Sequence, residues 1–190
     1  MIVLYGFVGL AVLIAGYAIT AYNGLVALRQ RAHQAWSDID VQLKRRYNLI
    51  PNLVETVKGY ARHEAETLES VVKARNSAIA NDGTPAQQAL TENMLSGMLR
   101  QLFAVAEAYP ELKANSNFEA LQSELSQIEE TIQRARRFYN GSVQDLNTKV
   151  EQFPSNIIAR QFGFGFAEYF ELSADDSAAR DPVQVSFGGD

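Results

Sequence analysis

The chain has 190 residues, a net charge of −5 and no cysteine. The length suits one domain plus an anchor, and the missing cysteines exclude a disulfide framework, a thiolate metal site and a cysteine nucleophile. The charge is local: residues 161–190 hold six carboxylates against Arg180, while the remainder is neutral with 16 basic and 16 acidic side chains. A neutral body argues against nucleic-acid binding, whose footprint is a basic excess.

Within residues 1–22 only Gly6, Gly9, Gly16 and Thr20 interrupt the apolar run, and no charge precedes Arg29. As a helix this segment is about 33 Å long, matching a hydrocarbon core of roughly 30 Å. Tyr5 lies near one end and Tyr17 and Tyr22 near the other, where aromatic rings favour the interface. A cleaved signal peptide would need a basic start and a small-residue cleavage site; neither occurs, so residues 1–22 are expected to be a retained transmembrane anchor. Arg29 and Arg31 follow the segment and none precedes it. The bias of Lys and Arg toward cytoplasmic flanks then places the N-terminus outside and the bulk inside.

Beyond the anchor, Leu25, Leu28, Ala32, Ala35, Ile39, Leu43, Ile50, Leu53, Val57, Tyr60, Leu68, Val71 and Ile79 recur at steps of mostly three and four. That stripe predicts a helix over residues 23–80, about 85 Å long, continuing the anchor without a linker. Pro51 predicts a kink or short break near residues 48–51. Asn81-Asp82-Gly83 is a stop, and Thr84-Pro85 a start with threonine as N-cap. The second helix is predicted over residues 85–109, with Leu90, Met94, Met98, Leu102, Val105 and Ala106 as its stripe. Pro110 ends or kinks it. Asn115, Ser116 and Asn117 are cap candidates for a third helix over 117–152, whose stripe runs Phe118, Leu121, Leu125, Ile128, Ile132, Ala135, Tyr139, Val143, Leu146, Val150. Phe153-Pro154-Ser155 stops it, and a short fourth helix over 155–162 follows.

The remainder, residues 163–190, reads as a tail rich in glycine and aromatics and then acidic, with residues 183–187 alternating like a strand. The expected fold is all-α: a transmembrane helix over 1–22 continuing into an antiparallel bundle of three long helices plus a short fourth over 23–162. The first helix outruns the second, so part of it needs the third helix or another copy of the chain as partner.

Several blocks carry a family resemblance. They are Tyr22-Asn23-Gly24-Leu25-Val26, then Ala35-Trp36-Ser37-Asp38-Ile39-Asp40-Val41-Gln42-Leu43-Lys44-Arg45-Arg46-Tyr47-Asn48-Leu49-Ile50-Pro51-Asn52-Leu53-Val54, and Val57-Lys58-Gly59-Tyr60-Ala61-Arg62-His63-Glu64. Ala106-Glu107-Ala108-Tyr109-Pro110-Glu111-Leu112-Lys113-Ala114, Arg136-Arg137-Phe138-Tyr139-Asn140 and Phe153-Pro154-Ser155-Asn156 complete the pattern. Together they resemble the LemA family over nearly the whole chain. The resemblance implies a bacterial membrane-anchored helical bundle with its bulk in the cytoplasm and no established catalytic activity. It also implies likeness to a magnetosome-associated protein and genes near membrane proteases. The acidic Ser/Ala/Asp run near residues 173–181 is the stretch least typical of the family.

Candidate chemistry is sparse. His63-Glu64 begins like a zinc-protease helix, but that motif needs a second histidine where Thr67 stands, and His33 is the only other histidine. Glu55, Glu64, Glu66, Glu69, Glu107 and Glu111 lack the Glu-x-x-His spacing of di-iron bundles. Lys44-Arg45-Arg46 and Arg134, Arg136 and Arg137 are basic clusters best read as ion pairs across helices. Trp36, Tyr47, Tyr60, Tyr109 and Tyr139 read as core aromatics with hydroxyls reaching polar partners, and Asn48, Asn52, Asn140 and Asn147 as amides pairing in the interior to set register. No catalytic, cofactor-binding or metal-ligating residue is assigned, and no cofactor is expected. The expected role is a non-enzymatic scaffold at the bacterial inner membrane that contacts the lipid bilayer, self-associates as a homo-oligomer and binds no nucleic acid. The alternative is an accessory subunit of a membrane protease or envelope-stress system.

Overall fold

A proline inside a helix removes one backbone donor and leaves the carbonyl four residues earlier without its partner. At Pro51 that orphan is the carbonyl of Tyr47, and Nε of Arg75 donates to it at 2.7 Å. With the deficit met from a neighbouring helix, the chain stays helical through Pro51.

The computed structural model describes residues 1–171; the alternating segment 183–187 and the acidic run lie outside the described residues. Six helices follow in order: α1 Ile2–Tyr60, α2 Ala65–Ala80, α3 Pro85–Ala106, α4 Pro110–Lys113, α5 Ser116–Glu151 and α6 Ser155–Gln161. The described residues contain no strand. The all-helical fold and the apolar helix leading into it agree with the sequence reading. Two details differ. The long first helix does not break at Pro51 but at residues 61–64, so its last quarter is a separate helix, α2. The end predicted at residue 109 falls at Ala106, and Pro110 opens the one-turn α4.

The chain divides into two compact units, residues 1–46 with 126–169, and residues 47–125 with, among the described residues, Phe170 and Glu171. In the first unit α1 and α5 run antiparallel. Arg46 pairs with Glu129 at 2.6 Å, the Trp36 ring packs on Tyr139 with centroids 5.3 Å apart, and Leu25 shares a core cluster with Leu146 and Val150. Leu25, Ile39 and Leu43 are fully buried, each stabilising the unit by roughly 1.5–3 kcal/mol.

The end of α5 is closed by Ser155, whose hydroxyl lies 2.7 Å and 2.8 Å from the carbonyls of Lys149 and Gln152, groups a helix end leaves unsatisfied. Gly163, at φ +70°, ends α6. The Phe164 amide donates to Ala159 and the Gly163 amide to Arg160, the two bonds of a Schellman turn that needs a left-handed residue. That turn buries Phe164 and starts a strap along α5. The Asn147 side chain accepts from the Ala167 amide at 2.8 Å and donates to the Ala167 carbonyl at 3.0 Å. The Tyr139 hydroxyl donates to the Glu168 carbonyl at 2.8 Å.

In the second unit, α2 and α3 form a hairpin around the turn at residues 81–84. Asn81 accepts from the Gly83 amide at 3.0 Å, and Thr84 and Gln87 form a reciprocal capping box at the start of α3. A Cβ on Gly83 would collide with the Gln87 side chain. Asn115 caps α5 through the Asn117 and Phe118 amides at 2.9 Å and 3.0 Å. The apolar face of α3 matches the one read from sequence only at Leu102 and Ala106. Ala89, Glu92, Leu95, Leu99, Leu102 and Ala106 are buried, whereas Leu90 and Met94 are 70% and 56% exposed.

Both tyrosine contacts can be tested. Arg75→Leu should cost about 1.5–3 kcal/mol, the range for a lost hydrogen bond from a charged donor. In a Pro51→Ala background most of that cost should vanish, because the substitution returns a backbone donor to the Tyr47 carbonyl. Thermal unfolding of the four chains of this double-mutant cycle measures the coupling, and an equal cost in both backgrounds would show that Arg75 acts elsewhere. Tyr139 is pushed up to about 12 from 10.0, by burial and then by the charge of Glu168. Its contribution to stability is therefore complete below pH 10 and is lost as the pH rises toward 12, because the unfolded chain ionises first. An absorbance titration of tyrosinate should show a late phase that Tyr139→Phe removes.

Candidate functional site

The functional candidate is the N-terminal part of α1 and its junction with the first unit. Val3, Leu13, Ile14 and Ile19 are 72%, 72%, 61% and 62% exposed, a density of bare apolar side chains far beyond the scattered exposure of ordinary surfaces. Among the described residues, α1 is the one helix long and apolar enough to cross a membrane. Thr20 is the only hydroxyl-bearing aliphatic side chain in residues 1–22. It donates to the Tyr17 carbonyl at 2.8 Å, which satisfies its polar hydrogen within the helix, as hydrocarbon surroundings require.

Burial begins abruptly at Ala21 and is complete at Leu25. Tyr22 marks the boundary, packing edge-on against Phe162 and Phe164 at centroid distances of 4.9 Å and 5.7 Å. The first two cations are seated on aromatic faces: the Arg29 guanidinium lies 5.0 Å from the Phe164 centroid and that of Arg31 lies 5.3 Å from Phe138. Arg31 also lies 3.8 Å from Asp145, though both are exposed and such a pair contributes little. Gly24 is the sole glycine or proline between Thr20 and Leu28, and α1 is unbroken there.

The residues nominated for chemistry do not assemble. His33 and His63 are both exposed, and no cluster of metal-binding side chains occurs among the described residues. Glu64 accepts from the Tyr109 hydroxyl at 2.9 Å. That bond, then burial, then the carboxylate's charge raise Tyr109 above the usual tyrosine range. Glu55, Glu66, Glu69, Glu107 and Glu111 are exposed.

The basic clusters resolve into individual pairs. Lys44 bonds Asp40 one turn away at 2.6 Å, Arg46 is buried against Glu129, Arg134 reaches Glu130 at 3.7 Å, and Arg136 is buried. Of the aromatics, Tyr47 and Tyr139 are buried, and the Tyr47 hydroxyl donates to Glu92. Tyr60 is half exposed, and its hydroxyl accepts from Asn115 at 2.9 Å.

The amides differ from expectation. Asn48 and Asn52 face solvent, and Asn147 holds the strap rather than another asparagine. Sequence reasoning passed over Glu92, which is 4% exposed. Its signal was positional: it falls three residues from Ala89 and three from Leu95, on the buried face of α3.

Comparison with known proteins completes the picture. The LemA family model matches residues 35–187. Magnetosome protein MamQ 2 of Paramagnetospirillum magneticum is 26% identical over 175 residues, covering 79% of this chain and 64% of that protein. Magnetosome protein MamQ of Magnetospirillum gryphiswaldense is 25% identical over 182 residues, covering 82% and 67%. Protein LemA of Metamycoplasma hominis is 24% identical over 151 residues, covering 80% and 69%. The chain thus spans 64% of the length of the first of these relatives. With four-fifths of its residues inside the family model and the apolar helix preceding the matched region, the chain belongs to the LemA family.

Proposed function

We propose that the chain is a non-enzymatic helical scaffold, anchored by residues 1–22 in the bacterial inner membrane and self-associating there. The observation that carries it is the unbroken α1, bare and apolar at its start and packed along one face from Leu25 onward. A helix that stays unbroken transmits its position in the bilayer to the bundle it enters. Two of the relatives are magnetosome proteins, which supports membrane association. Arg29 and Arg31 at the emerging end favour the N-terminus outside and the bundle in the cytoplasm.

Self-association draws support from α3. Leu90 and Met94 stand one turn apart, both more than half exposed, on a helix whose opposite face is buried. Chains confined to one membrane meet at a raised effective concentration, so a small apolar strip suffices for association.

The chain has no native cysteine, so Leu90→Cys introduces a unique thiol. Cross-linking it in native membranes should yield dimers, and Met94→Glu added to it should reduce them. Monomer alone, both on cross-linking and on sizing in detergent, would overturn self-association. Recovery of a membrane protease in place of further copies would favour the adaptor role instead.

A further inference from the structure

We infer a second membrane contact: the α5–α6 turn is a lipid-facing foot that sets Phe153 and Ile157 into the bilayer interface beside the anchor. The inference rests on the membrane-anchor reading and extends it to residues far along the chain. Its basis is the register of α1 against α5. Arg46 meets Glu129; ten residues back along α1, Trp36 meets Tyr139, ten residues on along α5. Eleven back again, Leu25 shares a cluster with Val150, eleven on. Three more steps bring Tyr22 level with Phe153, in the turn just past the end of α5 at Glu151. A direct contact at the other end of α6 agrees, since Phe162 packs on Tyr22 with centroids 4.9 Å apart. Tyr22 is also where burial of α1 gives way to the bare apolar stretch, so this level is the membrane surface on the anchor reading.

The side chains at that level suit an interface. Phe153 is 75% exposed, and Ile157 and Phe162 are each 57% exposed. Ile157 shares a shallow cleft with Arg160, pairing an apolar side chain with a cation that can reach the headgroups. Bare aromatics grouped at one end of a bundle are costly in water and stable at the headgroup boundary. The bilayer is the occupant because the anchor in the same unit brings it to this surface. Apolar anchoring at two points would restrain tilt of the bundle, which one helix alone leaves free.

Site-directed spin labelling tests it, since the chain has no native cysteine. Four full-length variants, Phe153→Cys, Ile157→Cys, Ile14→Cys and Val41→Cys, carry a nitroxide in phosphatidylcholine vesicles. Collision with oxygen, which partitions into lipid, is compared with collision with a water-soluble nickel chelate. Val41 is 54% exposed and lies about 28 Å beyond Tyr22 along α1 by the helical rise, so it reports the aqueous baseline. The oxygen-to-nickel ratio at position 153 should exceed that at 41 by several-fold and fall below that at 14. Ile157→Cys supplies the same readout if Phe153→Cys does not fold, as judged by circular dichroism. A high ratio at 14 with ratios at 153 and 157 equal to that at 41 overturns the foot and leaves the anchor standing. A ratio at 14 as low as at 41 overturns both.

Discussion

Every carbonyl along α1 must find a donor, and the helix can carry the anchor into a folded body only if none fails. The weak point is Tyr47, whose carbonyl faces the missing N–H of Pro51. Arg75 meets it from α2 at 2.7 Å. The same tyrosine donates its hydroxyl to the buried Glu92 of α3. One residue of α1 thus fixes the placement of both helices of the following hairpin, by its main chain on one side and its side chain on the other. A carboxylate buried among apolar residues is stable only when its oxygens are bonded, so Tyr47 and Glu92 justify each other's burial. Proline favours a kink in an isolated helix; here the neighbouring helix supplies the hydrogen bond that the proline omits.

The first unit meets a different requirement. Its two facing helices are long, and apolar stripes alone permit sliding by a turn. Arg46, 1% exposed, meets Glu129 in one register only. A pair of this kind adds little net stability over an apolar replacement, but leaving one member buried and unmatched costs several kcal/mol. Its effect is therefore greater on alternatives than on the native state. The strap after α6 adds a second lock through Asn147 and Tyr139, which bind the main chain at Ala167 and Glu168. It covers α5 with a backbone whose polar groups are satisfied by side chains rather than by a sheet.

The sequence was legible where periodicity and punctuation agree. Of the stripe read for α5, Phe118, Leu125, Ile128, Ile132, Tyr139, Val143, Leu146 and Val150 are buried, and Leu121 and Ala135 are partly so. Thr84 and Asn115 cap their helices as their chemistry demands. Legibility failed where a distant residue overrides a local rule. Pro51 is a breaker by local chemistry, and nothing near it in sequence announces Arg75. On α3 the rows 90–94–98 and 89–92–95–99 both fit helical spacing. The first contains larger apolar side chains, yet Glu92 marks the buried row because Tyr47 waits for it. The strap was unreadable for a related reason: Phe164 and Phe170 are buried while the neighbouring Phe162 and Phe166 are exposed, and no helical or strand period sorts them.

The distribution of exposed apolar surface then acquires a direction. On α1 it covers the apolar N-terminal stretch, at the α5–α6 turn it lies level with Tyr22, and on α3 it stands on a separate unit. A soluble protein with this much bare surface would aggregate through any of it. On the proposed membrane anchoring, the bilayer would take the largest part of it and hold each molecule within two dimensions. Continuity of α1 through Pro51 also bears on α3, because the turn of α1 before the proline carries Tyr47, whose hydroxyl is bonded to Glu92 on the buried face of α3.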